Sequence, residues 1–347
     1  MSTDKLDFIT PKTNRTVAAL KRASSTAFGD SPFVIPPSPL MKRLGCGTYV
    51  TVYRYKRQKA NSVNASPWAI KKAKKGHARK SIIERLTTEG RVLRELNHPN
   101  IVVFKKLTKT AQGDVCLSME DCGKGLDDII HKRQETDVVE MFTPTQIMKV
   151  TWYIANAIDY LHTTKKLLHG DIKSGNILIK RDFEQVKLCD FGVSIFLNDN
   201  LSGPRDPTAT YVGSEPWNSK EVTQSNVITD KADVFAYGLV IWEMLALDVP
   251  HVALMSYGED SSLDGSFLES DDGYHIPQEY YDALGTRPAL PEYEFSEDYD
   301  PAIGTFVCCT AEDYTKRPSA RNIVESLTEI VKDFDIVLDL KSYAEPT

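Results

Sequence analysis

His169-Gly170-Asp171-Ile172-Lys173-Ser174-Gly175-Asn176-Ile177-Leu178, followed by Lys187-Leu188-Cys189-Asp190-Phe191-Gly192, is the stretch that decides how this chain is read. Asp171, Lys173 and Asn176 fall on a loop marked by two glycines, and Asp190 ends a short run of strand character. The two carboxylates and the amide oxygen are hard oxygen donors that could hold Mg²⁺ or accept a proton, and the lysine could meet a phosphate. Singly, each is an ordinary solvated loop residue. Together, D-x-K-x-x-N with a D-F-G beginning fourteen residues after Asn176 is hard to explain by chance, and it gives weight to weaker signals upstream.

One such signal is a helical pattern over about Ser81 to Leu96, with Ile82, Leu86, Leu93 and Leu96 forming its apolar stripe. Glu89 falls on that stripe, where a carboxylate is costly unless a cation meets it. Lys71, alternating inward on the strand Trp68-Ala69-Ile70-Lys71, is the nearest suitable cation; otherwise Glu89 reaches solvent at the helix edge and Lys71 is a surface residue. A second signal is Leu44-Gly45-Cys46-Gly47-Thr48-Tyr49-Val50-Thr51-Val52, a strand–turn–strand whose glycines would let backbone N–H groups lie over phosphates. It carries Val50 where G-x-G-x-x-G has its third glycine, so alone it is equally a plain hairpin turn.

The 347 residues, with 41% hydrophobic and 26% charged side chains, exclude a collagen-like fibre, a largely disordered chain and a disulfide-stapled scaffold, and suggest about two domains or lobes. A net charge of −6 gives no global field for nucleic acid. No run reaches the ~18 apolar residues of a membrane span. The most apolar run, Val234 to Leu247, is shorter and carries Glu243. The first residues lack the apolar core of a secretory signal, and the six cysteines show no C-x-x-C pair. A soluble protein of the cytoplasm or nucleus is expected, with free thiols and no membrane or nucleic-acid partner.

Residues 1–39 are rich in Ser, Thr and Pro and are expected to form an extended tail, with Thr10, Ser31 and Ser38 each preceding a proline. Strand-like runs at Tyr49–Tyr55, Trp68–Lys71, Ile101–Leu107 and Val115–Glu120 precede a mostly helical remainder, in which Thr145–His162 and Asp233–Leu247 are clearest. The fold class expected is α+β in two unequal lobes: a domain over 40–332 with a β-rich lobe at 40–120, a helical lobe at 124–332 and a C-terminal tail at 333–347. Between Lys231 and Arg287 there is no Lys or Arg while acidic residues accumulate, so about 256–280 is expected to be an acidic insertion, either a solvated loop or a dock for a basic partner. Cys46 and Cys189 are either inert or reactive thiols, according to whether cations depress their pKa.

From Leu44 to about Ile330 the chain resembles the protein kinase family: glycine flap, strand lysine, helix glutamate, D-x-K-x-x-N loop and D-F-G occur in that order. More narrowly it resembles the T-cell-originated protein kinase (PDZ-binding kinase) family, related to MAP-kinase kinases. Ser66-Pro67-Trp68-Ala69, Leu168–Ser174, Glu215-Pro216-Trp217, Val227–Asp233 and Ala283–Pro288 carry that likeness. It implies a bilobal kinase fold using ATP and Mg²⁺ to phosphorylate Ser or Thr of a protein, a MAP kinase among the candidates, with dual specificity open. Mitotic and signalling roles, and a proline-directed kinase acting on Thr10, come from the same source. A pseudokinase scaffold is the rival class.

The resemblance also implies roles. Asp171 would orient the acceptor hydroxyl and take its proton; Lys173 would steady the γ-phosphate; Asn176 and Asp190 would grip Mg²⁺. Lys71, oriented by Glu89, would hold the α/β-phosphates beneath the flap Leu44, Gly45, Cys46 and Gly47. Val52, Ala69 and Leu178 would sandwich adenine, with Met119 behind and the backbones of Glu120 and Cys122 on its edge. Gly213–Trp217 would face the substrate, Glu221 would pair with Arg317, and Asp233 would anchor the catalytic loop. Gly170 replaces the arginine of H-R-D, which in many kinases pairs with an activation-loop phosphate, so activity is expected not to need that pair even if Ser202, Thr208 or Thr210 is modified. The last four residues, Ala344-Glu345-Pro346-Thr347, lack the apolar terminal side chain a PDZ groove takes, so no PDZ partner is expected.

Overall fold

The computed structural model describes residues 41–46, 50–55, 67–73, 80–110, 114–136, 140–255, 277–334 and 336. The 1–39 tail, Gly47, most of the acidic insertion and the end of the chain lie outside them, as do the expectations attached to Thr10, Ser31 and Ser38. The described residues form two compact units, the first from 41–95, 104–121 and 206–210, the second from 96–103, 122–205 and 211 onward. The fold is α+β, with a β-sheet unit and a helical one.

In the first unit, β1 (Met41–Cys46), β2 (Val50–Tyr55), β3 (Trp68–Ala73), β4 (Phe104–Lys109) and β5 (Val115–Glu120) make one antiparallel sheet, ordered β1-β2-β3-β5-β4. Val115 to Met119 are all buried. That burial on both faces is why β5 reads as a continuous apolar run rather than an alternation. Helix α1 (Lys80–Arg94) buries Ile82, Leu86, Glu89, Val92 and Leu93 and packs across β4 and β5. The strand expected over Ile101–Leu107 is displaced: β4 begins at Phe104, and Ile101 instead bridges Leu188 in the second unit. Val102 donates to the Leu188 carbonyl and Leu188 to that of Asn100, so this short segment finds its backbone partners there and not in the sheet.

The second unit is built on α3 (Pro144–Asp159) and α5 (Lys231–Ala246). A capping box between Thr143 and Gln146, with Pro144 at the first helical position, starts α3. Its C-terminal end passes into a π-turn over Tyr160–Thr164. Helix α5 is buried on every side from Ala232 to Leu245, as a helix apolar all round must be. Short strands β6 (Lys124–Gly125), β7 (Leu167–Leu168), β8 (Ile177–Lys180), β9 (Gln185–Leu188) and β10 (Ile195–Phe196) form two small sheets, β6-β8-β9 and β7-β10. The hairpin β8–β9 connects the two halves of the sequence signature, pairing Ile177 with Leu188. Helices α2 (Leu126–Gln134), α4 (Lys220–Gln224), α6 (Gln278–Ala283), α7 (Asp300–Cys309) and α8 (Ala320–Ile330) complete the unit. Among the described residues no helix is long and apolar enough to cross a membrane, and Cys116, Cys122, Cys189, Cys308 and Cys309 form no disulfide with one another.

Candidate active site

In the first unit the α1 carboxylate has its cation. Lys71 Nζ lies 3.0 Å from Glu89 Oε2 and 3.2 Å from Oε1, with the two residues 8% and 2% exposed. Both oxygens of a buried carboxylate are thus met by one ammonium, the arrangement that makes such burial tolerable. Sheet register places the other expected nucleotide-side residues around this lysine: Val52 opposite Lys71, Ala69 opposite Met119, and Trp68 opposite Glu120. Leu44, Gly45 and Cys46 lie on β1. Cys122 and Leu178 belong to the second unit, Leu178 pairing with Gly125 and Lys187.

In the second unit the 169–176 loop is held from below. Asp233 on α5 is fully buried and accepts from the backbone N–H groups of His169, at 2.7 Å, and Gly170, at 2.9 Å, while His162 Nε2 lies 2.9 Å away. The His169 ring takes the Asp171 N–H at Nδ1, at 3.2 Å, and faces the Cys189 carbonyl with Nε2, at 3.0 Å. These partners assign the neutral tautomer with hydrogen on Nε2. The same ring packs edge-on against Phe191, so one histidine ties the loop to the Asp190-Phe191-Gly192 turn.

Three groups converge on Asp171. Asn176 Nδ2 donates to its Oδ2 at 3.0 Å and to its carbonyl at 2.7 Å. Lys173 Nζ lies 3.1 Å from Oδ2, and the Ser214 hydroxyl donates to Oδ1 at 2.7 Å. Lys173 also donates to Ser214 Oγ, closing a carboxylate–ammonium–hydroxyl ring. Because the Asn176 amide nitrogen faces Asp171, its oxygen is the atom left for a cation. Asp190 has φ +68°, a left-handed conformation uncommon for non-glycine residues but tolerated by aspartate. Among the described residues no three or more His, Cys, Asp or Glu gather into a metal site. A pair of oxygen donors, Asn176 and Asp190, nevertheless suits Mg²⁺, which keeps its waters and is commonly held by one or two protein groups plus substrate phosphates.

Ten residues beyond Asp233, about 15 Å along α5, a second buried carboxylate faces the same loop. Glu243 accepts from Ser174 Oγ and from its N–H at 3.3 Å, and from Trp217 Nε1 at 2.8 Å. It thereby links the loop to the Glu215–Trp217 turn. Burial pushes its pKa up to about 8; the Ser174 and Trp217 hydrogen bonds oppose that shift and Asp127 adds to it. An acid raised from its ordinary 4.5 to about 8 binds a proton in the folded state that the unfolded chain has released, so stability falls as pH rises through that window. Glu243→Gln should keep the three contacts and flatten the melting temperature between pH 5 and 8, a comparison differential scanning fluorimetry settles. A variant as pH-sensitive as the parent would refute the assignment. Beside these groups opens a cleft of about 450 Å³ lined by Asp127, Lys173, Ser174, Trp217 and Glu243 among others.

Further along, Arg317 grips Glu221 with both nitrogens, Nη1–Oε1 at 2.6 Å and Nη2–Oε2 at 3.1 Å, and donates to the carbonyls of Ala311 and Lys231. Its guanidinium carbon sits 4.7 Å from the Phe235 ring centroid. Ser214, Trp217 and Glu243 were not singled out for these contacts by sequence. Glu243 could have been found by the rule that located Lys71: a charge inside an apolar helix demands a partner.

A model of the protein kinase domain matches residues 39–327. The chain belongs to the protein kinase family. Over 319 residues, 90% of this chain and 97% of the relative, the kinase is 44% identical to the human lymphokine-activated killer T-cell-originated protein kinase, so the narrower resemblance holds as well. It is also 30% identical over 173 residues to mitogen-activated protein kinase kinase kinase 13-B of Xenopus laevis, and 32% identical over 165 residues to kinase kinase kinase 12 of Rattus norvegicus. Those matches cover 50% and 47% of this chain but only 16% and 17% of the relatives.

Proposed function

We propose that this chain is an active, MAP-kinase-kinase-like protein kinase that phosphorylates serine or threonine with ATP and Mg²⁺. The ring formed by Asp171, Lys173 and Ser214 carries the reading, because it offers a carboxylate and an ammonium to one hydroxyl-sized space. ATP with Mg²⁺, when bound, supplies the phosphoryl group and neutralises charge on it. Asp171 orients the acceptor hydroxyl and takes its proton on a carboxylate oxygen, while Lys173 presents positive charge to the transferred group. Asn176 and Asp190 hold the metal. In this reading, drawn from the family resemblance, Lys71, fixed by Glu89, would grip the phosphates, Val52, Ala69, Met119, Glu120, Cys122 and Leu178 would receive the adenine, and Leu44, Gly45, Cys46 and Gly47 would cover it. The Asp127–Glu243 cleft takes substrate chain flanking the acceptor.

A MAP kinase as substrate, a mitotic signalling role, a cytoplasmic or nuclear location and modification at Thr10 belong to this reading through the likeness to the T-cell-originated kinases. The test is transfer of labelled phosphate to otherwise identical peptides bearing Ser, Thr or Tyr. Wild type should label the Ser and Thr peptides, and Asp190→Asn should lower the signal by about 100-fold or more. Equal labelling by both proteins would leave a scaffold with a contaminating activity.

A further inference from the structure

The loop residue Gly170 and the substrate-facing residue Gly213 both have positive φ, +78° and +42°. The ring of Tyr211 lies against both. A β-carbon on Gly213 would sit 2.1 Å from Asn218 Oδ1 and 2.4 Å from Tyr211 Cε1, and one on Gly170 would sit 3.2 Å from the Val193 carbonyl oxygen and 4.0 Å from Tyr211 Cε2. Gly170 therefore lies where three segments meet: the loop, the turn after Phe191, and the chain leading into Gly213. The loop side is rigid, since Asp233 holds the Gly170 N–H and Ser194 Oγ donates to the His169 carbonyl. The other partner is the chain that carries Ser214, which hydrogen-bonds Asp171 and Lys173.

The surroundings suit a neutral ring and no phosphate. Burial, and then the charges of Asp233, Asp171 and Glu221, push the Tyr211 phenol well above its usual range, so the same carboxylates would repel an anion there. An arginine at Gly170 would be strained, its β-carbon pressing on the Val193 carbonyl at 3.2 Å in a conformation that L-residues rarely adopt.

We propose that Tyr211 is a positioning residue: its ring, wedged between Gly170 and Gly213, holds the substrate-facing segment against the catalytic loop in place of an arginine–phosphate ion pair. This rests on the kinase reading above. The latch is built from packing alone, so it is set without modification of the activation segment. Its consequence falls on the acceptor side, through Ser214, and not on nucleotide binding.

The experiment compares wild type, Tyr211→Ala, Tyr211→Leu and Tyr211→Phe as full-length proteins, each treated with phosphatase. It measures kcat, KM for a Ser peptide, KM for ATP, melting temperature, and hydrogen exchange over 168–172 and 211–217. Phosphatase-treated wild type should retain turnover. Tyr211→Ala and Tyr211→Leu should each lose about tenfold in kcat/KM for peptide at unchanged KM for ATP, with faster exchange in both segments; Tyr211→Phe should lie within about twofold of wild type. The latch is overturned if phosphatase abolishes the turnover of wild type modified at activation-segment sites alone, if the Ala and Leu variants match wild type, if Phe is as impaired as Ala, or if both KM values worsen together as melting drops. Should wild type transfer no phosphate at all, the kinase reading fails, and the exchange data alone still decide whether the ring holds the two segments.

Discussion

Asp171→Ala should lower kcat for peptide phosphorylation by about 10³-fold while KM for ATP stays within about twofold. The carboxylate is the hydrogen-bond acceptor on which its cluster converges, since Lys173, Asn176 and Ser214 all approach it as donors. Deleting it removes the acceptor and also frees Lys173 and Ser214 from their common anchor, so the loss combines proton transfer with orientation. Folding should survive, because Asp171 is only half-buried and the loop remains held through Asp233. A melting temperature within a few degrees of wild type would show that the defect is chemical. Turnover within tenfold of wild type would remove Asp171 from the mechanism.

Arg317→Ala should have the largest effect on stability. The side chain is almost wholly buried, meets Glu221 through two nitrogens and satisfies backbone carbonyls as well. Its removal strands a buried carboxylate and an orphaned carbonyl, a loss of about 3–5 kcal/mol. For a unit of this size that corresponds to a fall in melting temperature of roughly 10 °C. Arg317→Lys should recover little, since an ammonium cannot reproduce the bidentate fork or the face-on contact with Phe235. The double variant Arg317→Met, Glu221→Leu should lie closer to wild type than Arg317→Ala, because it leaves no unpaired charge behind. Thermal unfolding of the four proteins decides the point; an Arg317→Ala protein as stable as wild type would show the pair to be dispensable.

What could be read from sequence depended on whether the signal was local. The 169–178 stretch, D-F-G and the Glu89 stripe are short-range patterns, whereas the rule about buried charge leaves the Lys71 pairing as one of two readings until the structure brings the two side chains together. The β4 boundary differs from the expected one because Ile101-Val102-Val103 has strand composition but pairs through its backbone with Leu188 of the second unit, a choice that composition does not encode. The wedge of Tyr211 was invisible for a similar reason. It depends on two glycine conformations forty-three residues apart meeting one ring. The roles of Trp217 and Glu243 depend on α5 facing the loop from Asp233 to Glu243, where helical rise sets the spacing of the two clamps.

The most direct measurement is mass-spectrometric profiling of sites phosphorylated in a dephosphorylated protein extract, with wild type and Asp171→Ala purified side by side and supplied with Mg²⁺ and ATP. New phosphoserine and phosphothreonine should appear with wild type and fail to appear with the variant. The same set of sites from both proteins, or none from either, would contradict phosphoryl transfer by this chain.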